Sequence, residues 1–125
     1  EIRTQDVSTL KYYIDNNYIS KRDYKDVKDI MDVSISINDL RRMNNELMTE
    51  RTRIQEEQSR LRSNMNSLGS SNQEAKLRTK YVEKLDAQEK RFEEILETIE
   101  KNEEKIKALE KKVDEMLMAL EKREK

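Results

Sequence analysis

The sequence predicts an all-α protein: a long antiparallel two-helix coiled-coil hairpin with a short N-terminal helix packed at its open end. Three observations lead there. The 125 residues include one Gly and no Pro, so the tight turns on which sheets depend have almost no material. Charged residues make up 42% and hydrophobic ones 34%, a balance that could mean disorder, but the charges cancel to net −1 and the apolar residues recur regularly. From Ile37 onward that recurrence alternates three and four residues, the spacing of a coiled-coil seam.

The first element, within residues 1–19, is a short helix over about 4–16 whose apolar face is Val7, Leu10, Tyr13, Ile14 and Tyr18. It ends at Asn16-Asn17-Tyr18-Ile19-Ser20, where Ser20 and Asp23 have cap spacing. The first long helix is expected over 20–68. Ile35 and Ile37 alternate with Ser34, Ser36 and Asn38 as a strand would, but no partner strand exists, so this stretch reads as helix. Its seam is Ile37, Leu40, Asn44, Leu47, Arg51, Ile54, Gln58, Leu61, Met65 and Leu68, with every d position apolar and Asn44, Arg51 and Gln58 at a.

Residues 69–77 form the tip and the start of the next helix. Gly69 is expected in a left-handed conformation that closes the preceding helix. Ser71 with Glu74, and Ser70 with Gln73 one residue earlier, offer capping-box spacing. The second long segment, 78–125, has Leu85, Phe92, Ile99, Ile106, Val113 and Leu120 at a, and Tyr81, Gln88, Ile95, Asn102, Leu109 and Met116 at d. At about 1.5 Å per residue a helix of about 52 residues, over roughly 73–124, runs near 78 Å, which implies a thin rod with little core per residue.

Folding back at Gly69 sets a layers of one helix against d layers of the other. The register that leaves room for the reversal pairs residues whose numbers sum to 146: Ile37 with Leu109, Leu40 with Ile106, Leu47 with Ile99, Ile54 with Phe92, Leu61 with Leu85 and Met65 with Tyr81. It also sets Asn44 against Asn102 and Gln58 against Gln88, two amide layers that penalise slipped registers. Arg51 opposite Ile95 is the misfit, expected to run its methylenes outward. Flanking charges agree: Arg41 falls near Glu103, Gln55 near Glu89, Glu50 near Arg91 and Glu57 near Lys84. Lys84, Arg91, Lys105 and Lys112 at g with Glu89, Glu103 and Glu110 at e also suit a parallel homodimer, the structural alternative.

Composition narrows function. Without His, Cys or Trp there is no imidazole catalysis, thiol chemistry, disulfide, or thiolate or imidazole metal site. No nucleophile and base can be named together, and the reading is non-enzymatic, with no cofactor, no metal and no small-molecule substrate. No apolar run approaches the roughly 20 residues of a membrane span. Net charge of −1 disfavours nucleic acid as a partner. A chain beginning with Glu rather than Met reads as an excised fragment.

The segment Glu57-Gln58-Ser59-Arg60-Leu61-Arg62-Ser63-Asn64-Met65-Asn66-Ser67-Leu68, with Arg78-Thr79-Lys80-Tyr81-Val82-Glu83-Lys84-Leu85-Asp86-Ala87-Gln88-Glu89, resembles the central coiled coil of prokaryotic mucoidy-inhibitor-like proteins. In that family a Gln-x-Arg-Ile-Arg-x-Asn-Met-x-x-Leu segment precedes a tip and Arg-Tyr-Val-x-Lys-Leu-x-x-Gln-Glu follows it. Gln58, Arg60, Arg62, Asn64, Tyr81, Leu85, Gln88 and Glu89 match, while Leu61 replaces Ile and Lys80 stands where Arg is usual. The similarity covers about 30 residues around the tip. It implies a parent with β-rich domains joined at the open end of the arm, and an arm of unknown biochemical function.

The candidate functional residues follow. Asn44, Asn102, Gln58 and Gln88 are a register-setting polar core. Arg60, Arg62, Arg78 and Lys80, with Lys84, make the tip basic and could contact phosphate or an acidic protein, although a solvated face paired with Glu56, Glu57, Glu83 and Glu89 is favoured. Tyr12, Tyr13, Tyr18 and Tyr24 serve either as a docking surface or, the favoured reading, in packing the first helix. Met43, Met48 and Leu96 form an off-seam patch for another chain. The function expected is therefore a rigid arm that spaces domains or presents its tip to a protein partner; the alternative is a parallel homo-oligomerisation coiled coil.

Overall fold

A computed structural model describes residues 21–124. They form two long helices packed against each other, with no strand among the described residues: α1, Lys21–Asn66, and α2, Asn72–Glu124. The expected helix within 1–19 and its packing lie outside these residues, as do Tyr12, Tyr13 and Tyr18. Relative to the expected bounds, α1 stops two residues before Leu68 and α2 already begins at Asn72. No helix among the described residues is long and apolar enough to cross a membrane.

α1 runs unbroken through Ser34, Ser36 and Asn38. The Ser36 hydroxyl donates to the Asp32 carbonyl at 3.2 Å, a bond within the preceding turn that lets serine sit mid-helix without competing for another backbone shape. Burial identifies the period. Ile37 is buried and Ile35 exposed, whereas a strand would put both on one face.

The expected seam positions, with one exception, lose solvent. All twelve named on α2, from Tyr81 to Leu120, are buried or half-buried. So are those from Ile37 to Leu68, except Arg51, which is exposed while Ile95 is almost fully buried. Burial of each large aliphatic side chain contributes roughly 1.5–3 kcal/mol, the main force holding helices this polar together.

Packing divides into two compact units. Unit 1 is, among the described residues, 21–43 with 102–124; unit 2 is Asn44–Lys101. Unit 1 is centred on buried Ile30, Ile37, Ile106 and Val113, with Val33, Leu40, Leu109, Met116, Leu117 and Leu120 packed around them. Its outer face carries an ion pair across the helices, Arg41 to Glu110 at 3.2 Å, one heptad beyond the expected Glu103. Unit 2 buries Leu61 and Ile95 but also Gln58 and Gln88, and contains the break between α1 and α2.

Candidate functional site

The tip is assembled from the end of α1 upward. Its last amides make short-range bonds, Ser67 N–H to Asn64 O at 3.2 Å and Leu68 N–H to Met65 O at 3.1 Å, which tighten the final turn. Arg78 then reaches back from α2, its Nη2 donating to the carbonyls of Leu68 at 3.2 Å and Gly69 at 3.3 Å. A cation placed on carbonyls that have no helical partner also suits the negative end of the helix dipole.

α2 begins with the expected capping box. The Glu74 N–H donates to Ser71 Oγ at 3.1 Å, and the Ala75 N–H donates to the Ser71 carbonyl at 2.9 Å. The Glu74 carboxylate reaches back and accepts from the Gly69 N–H. Hydrogen bonding from Ser71, then from the Gly69 amide, holds the Glu74 carboxyl below the usual carboxylate range. Gly69 is not in the expected left-handed region. A Cβ there would lie 3.0 Å from both carboxylate oxygens of Glu74, so a larger residue would require that carboxylate to shift by a few tenths of an ångström.

These bonds change the reading of the basic tip. Arg60, Arg62 and Lys80 are exposed and have no ion pair among the described residues, so they remain available to an outside group. Arg78 is half-buried, and its guanidinium is engaged by the carbonyls of Leu68 and Gly69 between the two helices. Lys84 is bound to Glu57. This contact was hidden because its partners are main-chain groups, though a cation at the heptad a position seven before Leu85 was a signal in the sequence.

Among the polar core residues, Gln58 is 4% exposed and Gln88 8%, so both amides are buried in unit 2. They do not satisfy each other. Gln58 Nε2 donates to Glu89 Oε1 at 3.1 Å, and Gln88 Oε1 is buried with no hydrogen-bond partner. An unpaired carbonyl of this kind costs about 1–3 kcal/mol. Glu89, as a longer and charged acceptor on the rim, outcompetes the neutral amide for the donor. Asn44 is half-buried in unit 2 and Asn102 buried in unit 1; neither is without a partner.

Beside the seam of unit 2 lies an ion-pair cluster. Arg91 grips Glu50 with two bonds, Nε to Oε2 at 2.5 Å and Nη2 to Oε1 at 2.8 Å, while its Nη1 reaches Glu94 at 3.0 Å. The bond from Arg91 holds the Glu50 carboxyl below its ordinary range, and the bond from Lys84 does the same for Glu57. On the other flank Met48 and Leu96 are exposed beside a groove; Met43, in unit 1, is exposed as well, as is Tyr24. No group of three or more acidic side chains among the described residues is arranged to hold a metal ion. No family model, curated protein or solved structure matches this chain.

Proposed function

We propose that the chain is a non-enzymatic structural and interaction arm: an antiparallel two-helix coiled coil that spaces flanking domains or presents its tip to a protein partner. The observation that carries the reading is the order of the ion pairs in unit 2. Glu50 pairs with Arg91 and Glu57 with Lys84, so an advance of seven residues on α1 answers a retreat of seven on α2. Seam burial at heptad spacing supports the same reading, and so does a reversal fastened by Arg78, Ser71 and Glu74. Pairing Lys84 with Glu57 in the same chain also counts against the parallel homo-oligomer, whose flanking contacts draw on Lys84 and Glu89.

The resemblance to the mucoidy-inhibitor-like coiled coils fits an arm of this kind, with Arg60, Arg62 and Lys80 as the residues a partner would meet. The reading is tested with Leu47→Cys and Ile99→Cys in one chain under mild oxidation. A disulfide within the monomer is the expected product. Links only between chains, each substituted position joined to the same position of a second copy, would establish the parallel alternative.

A further inference from the structure

Unit 2 leaves large apolar side chains in solvent on one flank, with Leu96 58% exposed and Met48 44%. They border a groove of about 250 Å³ that has Arg51 and Gln55 on its α1 side and Glu89 and Glu93 on its α2 side. Small-molecule pockets span roughly 300–1,000 Å³, so this groove is scaled to protruding side chains. Arg51 and Glu93 have no ion pair among the described residues. The flank thus has apolar side chains at its centre, with a positive charge on one helix and a negative charge on the other, neither held in a direct ion pair.

We infer that this flank binds a second copy of the chain, face to face, about a twofold axis parallel to the helices. The inference rests on the antiparallel reading, in which Arg51 lies level with Ile95. A twofold along the helices lays α1 of each copy over α2 of the other. Met48 then meets Leu96 of the second copy, and Arg51 meets Glu93, each offset by two residues or about 3 Å along the axis. Both contacts occur twice. The other face-to-face twofold, across the helices, sets Arg51 on Arg51 and Glu93 on Glu93, and like charges select against it. Charge complementarity therefore fixes both occupant and orientation.

Sedimentation equilibrium of the full chain over a wide concentration range tests this. The expected mass rises from 15.0 kDa toward twice that value. Leu96→Glu is expected to weaken association by about ten-fold or more with helical circular dichroism retained, since the site is exposed. Arg51→Glu should also weaken it, and adding Glu93→Arg should restore it. A mass of 15.0 kDa at every concentration, association indifferent to Leu96→Glu, or a charge swap no better than Arg51→Glu alone overturns the inference. An intrachain disulfide in the Leu47→Cys, Ile99→Cys variant, formed in a strictly monomeric chain, removes the dimer and leaves the arm; its failure to form within one chain removes both.

Discussion

In unit 1 the aliphatic cluster Ile30, Ile37, Ile106 and Val113 outweighs buried Ser34 and Asn102, whereas in unit 2 the buried amides Gln58 and Gln88 stand beside Leu61 and Ile95. The aliphatic share of the buried interior thus differs between the two regions. Aliphatic layers stabilise strongly but discriminate weakly, because one Ile packs almost as well on the next layer along. Buried amides contribute less and reject a misplaced neighbour more sharply. Unit 2 also holds the cross-helix pairs of Glu50 and Glu57 and the Ser71 cap of α2, while unit 1 holds the larger aliphatic cluster.

The largest expected effect comes from breaking the apolar side of this contrast. Ile37→Ala in unit 1 should cost about 2–4 kcal/mol, the range for truncating a buried branched side chain, read from denaturant unfolding. A cost under about 0.5 kcal/mol would show that unit 1 is not sustained by its aliphatic cluster.

Next in size is a gain. Gln88→Leu in unit 2 removes the buried carbonyl that has no partner and should stabilise by about 1–3 kcal/mol, seen as a raised Tm. Loss of stability on that change would mean that the Gln88 amide is satisfied in solution. Ser71→Ala removes the cap of α2 and should cost about 1 kcal/mol, with amide exchange quickened from Asn72 to Ala75.

The smallest effect is set by pH. Glu50, Glu57 and Glu74 all have folded pKa values below the ordinary 4.5, so their stabilisation is present above that pH and is lost as pH falls through the lower folded values. All three lie in unit 2. Acidification below about 4.5 should therefore quicken amide exchange in unit 2 before unit 1, and the loss should be modest because the groups are only half-buried and water still screens them. Equal quickening in both units would erase the distinction.

Helix class and seam were legible because burial depends on a repeat that the side chains themselves display: Leu85 to Leu120 and Ile37 to Leu68 can be counted off the chain. Arg51 could be read as an outward misfit for the same reason. What escaped were choices among competing partners at short range. Gln58 had two acceptors within reach, Gln88 and Glu89, and charge decided between them. Arg41 could bridge to either of two glutamates one heptad apart, and a helix-face argument treats them alike. Arg78 bonds to carbonyls, which every residue has and no sequence pattern marks. Gly69 lacks the left-handed backbone its type suggests, and its nearest neighbour is a carboxylate five residues on.

The central claim is that α1 and α2 of one chain run side by side in opposite directions. Spin labels at Ser59 and Ala87, both exposed on the outer faces of unit 2, test it most directly by pulsed dipolar distance measurement in chains diluted with unlabelled protein. Helix axes 8–10 Å apart predict a narrow distribution at about 10–25 Å once the label arms are added. A distance of about 42 Å, the rise of 28 residues of uninterrupted helix at about 1.5 Å each, or a broad distribution beyond that, would contradict it.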